Sequence, residues 1–241
     1  MPRAAILDVD GTLVDSNDAH AQAWVTAFNE AGIDVSYDRV RRAIGMGGDK
    51  LIPHVSGLTA DSKPARRISA RRGEIFRSEF LPHLTAFPKV RDLVEQFLAD
   101  EYRVVIASSA EADELDPLLE IAGIADLLHG RSSSKDADRS KPDPDIVVAA
   151  LHRSGAGPAE AIMVGDTPYD VAAALAAGIE IGGVESGGWG SGDLQGATEV
   201  HTGVADLYAH YHDSLFARPR GGVRPSVTMA GCGRAIPSRT S

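Results

Sequence analysis

Residues 3–12 read Arg3-Ala4-Ala5-Ile6-Leu7-Asp8-Val9-Asp10-Gly11-Thr12. A short apolar run that stops at a turn residue predicts a strand buried on both faces. The run ends in two acids two positions apart, and in extended backbone such residues point to the same side. Asp8 and Asp10 can therefore face one pocket. Gly11 behind them permits a sharp turn with positive φ. Burying paired carboxylates without a partner is costly, and a divalent cation would offset that cost. Taken alone, the pair is equally compatible with a solvated acidic turn.

Working outward from this stretch, residues 16–81 carry helical patterns and no convincing strand. Helices are predicted over about 17–31, 37–44, 49–55 and 63–80, the first with Ala23, Trp24, Ala27, Phe28 and Ala31 on its apolar face and Gly32 as its C-cap. From Val90 the pattern changes. Helices over 89–100, 112–123, 143–154 and 169–177 alternate with strands over 103–107, near 126–129, over 161–164 and over 179–184. Such alternation predicts an α/β fold, a doubly wound parallel Rossmann-like sheet with helices on both faces. The helical block then becomes a small all-helical cap inserted after the first strand. The expected domains are a core of residues 1–15 and 82–212, a cap of 16–81, and a disordered basic tail of 213–241.

Composition narrows the function classes. The chain has 241 residues and 43% hydrophobic residues, enough for a sizeable core. No run of 18 apolar residues appears, which excludes a helical membrane span. Met1-Pro2-Arg3 leads into only a short apolar stretch, unlike a signal peptide. Cys232 is the single cysteine, so there is no disulfide framework. A net charge of −10 argues against nucleic acid. After Asp213 the chain holds five arginines and no acid, read as a disordered tail. The expected setting is the cytoplasm, with a small metabolite as partner, neither nucleic acid nor membrane, and a monomer or weak homodimer.

Three further signals join Asp8 and Asp10. Gly165-Asp166-Thr167-Pro168-Tyr169-Asp170 follows the strand at 161–164, which places Asp166 at a strand's carboxyl end. Ser108 and Ser109 close the strand at 103–107. Lys141 precedes Pro142-Asp143-Pro144-Asp145 in a loop that opens a helix. Polar groups at carboxyl ends of strands point toward the ligand crevice of an open α/β sheet.

In this set of motifs the chain resembles the haloacid dehalogenase-like superfamily, in the branch with a small helical cap after the first motif. The matching stretches are Asp8–Ser16, Ser108, Lys141 with its Pro-Asp-Pro-Asp, and Asp166–Asp170, in the family's order, and the resemblance covers about residues 1–210. It implies a five-stranded sheet of order 5-4-1-2-3 and Mg²⁺ as cofactor. It further implies a phosphatase with Asp8 as nucleophile, forming an aspartyl-phosphate, and Asp10 as general acid and base. Asp8, Asp166 and the carbonyl of Asp10 would hold the metal, with Asp170 beside them. Thr12, Ser108, Ser109 and Lys141 would bind the phosphoryl group, and Lys141 would also balance transition-state charge.

The cap is read for substrate choice. Gly45–Lys50 resembles the family's specificity loop, with Gly47 allowing close approach and Lys50 a contact for an anionic group; a plain helix-joining turn is the bland reading. His20 resembles the histidine of β-phosphoglucomutase, and Trp24 is taken as cap core. Arg66, Arg67, Arg71 and Arg72 read as a solvated face from which one arginine could reach an anion. Dehalogenases and phosphonatases lack an acid at the position of Asp10. A sugar phosphomutase of the β-phosphoglucomutase type is the alternative, although its metal motif carries adjacent acids where this chain has Gly165 before Asp166. A non-catalytic scaffold is disfavoured because each catalytic position is filled.

Overall fold

The computed structural model describes residues 3–218. Strand β1 (Arg3–Leu7) lies between β2 (Tyr102–Ala107) and β4 (Ala161–Gly165), both parallel to it, with Leu7 level with Ile106 and Val164. Its side chains alternate between two cores. Ala5 and Leu7 join Val104, Ile106 and Val164 on one face. Ala4 and Ile6 join Val105, Ala107 and Met163 on the other. Helix α5 (Val90–Ala99) covers the first face; α7 (Asp145–Ser154) and α8 (Pro168–Ala176) cover the second. A strand covered on both sides needs apolar residues at every position, which is why β1 reads as a run rather than an alternation.

With β3 (Gly130–Ser132), β5 (Glu180–Val184) and β6 (Glu199–His201), the order across the sheet is β3-β2-β1-β4-β5-β6. The expected five-stranded order is present, with one strand more. The sixth is a three-residue edge strand whose polar residues carry no strand signal. The third strand also falls later than the predicted 126–129. Leu127 and Leu128 sit in the preceding turn, and His129 N–H donates to the Val104 carbonyl at 2.8 Å just before pairing begins. Helix α6 (Ala112–Ile121) precedes it.

Between β1 and α5 the chain forms α1 (Asn17–Glu30), α2 (Tyr37–Arg41), α3 (Gly48–Ser56) and α4 (Lys63–Ile75), the last running on through a π-helical turn, Phe76–Phe80. Trp24 and Phe28 are buried and stack at 5.8 Å. Ala31, predicted on the same face, is exposed at the helix end, where Gly32 takes φ +75°. No helix of the described residues is long and apolar enough to cross a membrane.

Residues 213–218, predicted as the start of the tail, are part of the fold. Leu215 and Phe216 are buried, and the Phe216 carbonyl accepts from Tyr102 Oη at 2.7 Å and Arg3 Nη2 at 3.0 Å. These apolar residues outweigh the polar composition around them. Arg220, Arg224, Arg234 and Arg239 lie outside the described residues.

At the β6 edge, His201 donates or accepts at Glu199 (3.1 Å) and faces Asp206 of α9 (Val204–Ala209) at 3.6 Å. The hydrogen bond to Glu199, with the charges of both acids, raises the imidazole above its ordinary value despite its burial. A histidine whose folded pKa is raised stabilises fully below the unfolded value of about 6.5 and loses that contribution as pH rises through the folded one. Thermal melts should therefore show a fall in stability above pH ~6.5 that is absent in His201→Gln, once other ionisations are subtracted by comparing the two proteins.

Candidate active site

The carboxyl ends of β1, β2 and β4 lie side by side, so the residues that follow them converge. Asp8 follows β1 and its N–H still pairs with the Val164 carbonyl at 3.0 Å. Asp166 follows β4, and Ser108 follows β2. The loop before α7 delivers Lys141, which is 1% exposed. Its ammonium bridges Asp8 Oδ1 at 2.5 Å and Asp170 Oδ1 at 2.7 Å. Thr12 Oγ1 donates to Asp166 at 2.8 Å and lies 3.2 Å from Asp8. Asp170 also closes a capping box with Thr167 at the start of α8, which fixes its carboxylate.

Three buried carboxylates, Asp8, Asp166 and Asp170, thus offer oxygens within 4.8 Å of one another, two of them paired with the Lys141 ammonium. Burial is the largest influence on each shifted acid. It pushes Asp8 up to about 7, helped by Asp170 and Asp10 and opposed by Lys141. Burial with the charges of Asp8 and Asp170 holds Asp166 well above the usual carboxylate range. Burial would lower Lys141, but Asp170 and Asp8 outweigh it and keep it cationic. One positive charge does not balance three acids, so a hard divalent cation with oxygen ligands fits this donor set.

Asp10 faces away from that cluster. Its Oδ1 accepts from Ser16 Oγ at 2.5 Å and lies 2.8 Å from His20 Nε2. Burial acts to raise this acid, yet His20, Ser16 and Lys141 together bring it below its ordinary value. His20 in turn stacks on Phe76 at 3.9 Å, where the cap returns to the core.

The structure does not bring every predicted residue to the reacting end. Ser108 is buried, and its hydroxyl caps the Ala110 N–H at 3.0 Å. Ser109 and Gly47 line the cavity of about 50 Å³ that holds Asp8, Asp10 and His20, but Lys50 does not. The Lys50 ammonium is drawn instead to Asp143 and to the Ser140 carbonyl (2.7 Å), because the acid-rich loop beside Lys141 is the nearer anion. It clamps the cap to the core. Tyr169 Oη to the Arg42 carbonyl (2.6 Å) and Arg41 Nη2 to the Gly187 carbonyl (2.7 Å) do the same.

Several functional residues escaped sequence reasoning. Asn17 Nδ2 donates to Asp166 Oδ2 at 3.0 Å, so it orients the carboxylate that Thr12 holds from the other side. Gly187 packs against the same oxygen: a Cβ there would lie 1.6 Å from it. Its place just beyond β5, at another carboxyl end, was the available signal. Arg72, read as part of a solvated face, is buried and pairs with Glu114 of α6. It lies four residues after Ile68 and four before Phe76, both buried, so helical spacing already put it on the inner stripe.

A model of the haloacid dehalogenase-like hydrolases matches residues 5–184, three-quarters of the chain, and spans every one of these residues from Asp8 to Asp170. The chain belongs to the haloacid dehalogenase-like hydrolases. It is 29% identical over 196 residues to the probable phosphatase IndB of Dickeya dadantii, covering 79% of this chain and 83% of that one. A phosphoglycolate phosphatase of Nitrosococcus oceani is 28% identical over 75% of this chain and 82% of its own. Among solved structures, a hydrolase from Pseudomonas syringae superposes with a TM-score of 0.82 at 28% identity, covering 88% of this chain and all but 2% of its own (98%).

Thr12, Asn17 and Gly187 fix the Asp166 carboxylate from three sides. Gly187→Ala should displace it and lower turnover by about 10²-fold, the size expected for a misplacement near 1 Å. Circular dichroism should show an unchanged fold, and steady-state assays on any accepted ester check the loss.

Proposed function

We propose that this hydrolase is a Mg²⁺-dependent phosphatase that cleaves a small phosphate monoester through an aspartyl-phosphate on Asp8. The observation that carries the reading is the clustering of the buried Asp8, Asp166 and Asp170, with Lys141 bridging Asp8 and Asp170, beside a small cavity that Asp8 shares with Asp10 and His20. The phosphatase-named relatives support it. Asp8, Asp166 and the Asp10 carbonyl would hold the ion, and Asp170 would steady the arrangement. Bound there, Mg²⁺ supplies charge that lets carboxylate and phosphate approach each other.

Asp8 must be ionised to attack. The cation and Lys141 both favour its anion, which counters the upward pull of burial. Attack of Asp8 Oδ on phosphorus forms the acyl phosphate and expels the alkoxide. Asp10 delivers a proton to that oxygen, then removes one from the water that hydrolyses the intermediate. The 2.8 Å contact with His20 gives Asp10 a neighbour that can share this proton. Lys141 stays cationic throughout and offsets charge on the phosphoryl oxygens. Ser109, at the cavity wall, is placed to donate to them.

The mutase alternative would need a second acid at position 165. A Cβ there lies 2.6 Å from the Asp170 Cβ, so a larger residue would disturb the carboxylate beside Lys141. That favours hydrolysis.

Phosphate release from a panel of monoesters should require Mg²⁺, stop with chelator and vanish in Asp8→Asn; unchanged activity in that variant would sink the covalent route. Added Mg²⁺ should also raise the melting temperature of the wild type, but not that of Asp166→Asn. Interconversion of hexose phosphates without phosphate release, given a bisphosphate activator, would select the mutase instead.

A further inference from the structure

Next to the small cavity lies a second one of about 310 Å³, and Gly47, Gly48, Arg72 and Ser109 line both. That is room for a leaving group of sugar size. The wall and mouth include Asp49, Asp61, Glu111 and Asp138 against two arginines, Arg66 and Arg72. All four acids are exposed at the mouth, whereas Arg72 is only 8% exposed, inside.

Arg72 would be the natural counterion for an acidic leaving group, but its charge is already matched. Nη1 contacts both Glu114 oxygens, at 2.9 and 2.7 Å, and Glu114 is 1% exposed. The guanidinium lies over the Trp24 ring at 4.9 Å, and its Nε has no partner. The pair therefore adds no net charge to the wall. Ser69, Ser134 and Ser140 add hydroxyls to the wall.

We infer that the leaving group of this enzyme is a polyhydroxylated body of about sugar size, neutral or cationic, and that acidic leaving groups are selected against. The inference rests on the phosphatase reading and names the substrate class of that site. A substrate hydroxyl can exchange hydrogen bonds with the serines. A second carboxylate or phosphate meets an acidic mouth, which slows entry, and inside it finds a cation that Glu114 has neutralised. An amine would be drawn in by the same acids.

Matched esters test this: glucose 6-phosphate, glucosamine 6-phosphate and 6-phosphogluconate, with p-nitrophenyl phosphate as a substrate that carries no second charge. At low ionic strength kcat/KM for the two hexose phosphates should exceed that for the gluconate by about tenfold or more. The gap should narrow as salt is added, since the acids at the mouth are solvent-exposed. The charge-reversed Glu111→Lys with Asp138→Lys should narrow it too. Glu114→Gln, which unmasks Arg72, gives a separate arm; the mouth variants keep the test open if that one fails to fold. Equal or faster hydrolysis of the gluconate by the wild type, with Asp8-dependent hydrolysis of p-nitrophenyl phosphate intact, overturns the inference alone. Loss of all ester hydrolysis, or hydrolysis that persists in Asp8→Asn, overturns the phosphatase reading and the inference with it.

Discussion

The organisation of this protein turns on one imbalance: three carboxylates are buried together, and the one ammonium among them, Lys141, pairs with Asp8 and Asp170 while Asp166 is held by Thr12 and Asn17. Buried ions are tolerated only when paired and hydrogen-bonded, and here the pairing is incomplete. Thr12, Asn17 and Thr167 supply hydrogen bonds that hold the acids still without neutralising them. In the function proposed above, the excess negative charge would receive a cation and the cation an anion. Metal recognition and substrate recognition would then be two halves of one electrostatic account.

The sheet makes that imbalance possible. Parallel strands end together, so β1, β2 and β4 bring three loops to one spot without any long excursion of the chain. The cap closes over the spot through polar contacts: Lys50 to Asp143, Tyr169 to the Arg42 carbonyl, Arg72 to Glu114. Polar contacts of this kind can be exchanged for water or substrate, unlike a continuous apolar interface. A lid fastened by hydrogen bonds is compatible with repeated opening.

The catalytic cluster was legible in the sequence because its chemistry is local. Asp8 and Asp10 stand two apart just beyond one strand, and Asp166 and Asp170 occupy one loop and the first turn of the helix after it. The apolar runs around them announce the strands. What stayed hidden depends on distant partners. Lys50 looked like a substrate contact until Asp143, 93 residues later, took its charge. Arg72 looked solvated because its partner Glu114 lies 42 positions away. β6 and the segment Leu215–Phe216 gave weak local patterns, and distant partners fix the chain there: Phe216 packs on Phe97 and Tyr102, and Leu215 N–H donates to Glu199.

The position of β1 has a consequence for how the chain is made. Strand β1 leaves the ribosome ahead of both strands that flank it, and β4 begins only at Ala161. At about 5–20 residues per second, roughly ten to thirty seconds separate the two. During that interval the helices from Asn17 to Ile75 can assemble from nearby sequence, while β1 waits with one edge open. Phe216, whose carbonyl ties down Arg3 and Tyr102, arrives later still. The nascent chain thus acquires its lid before its floor.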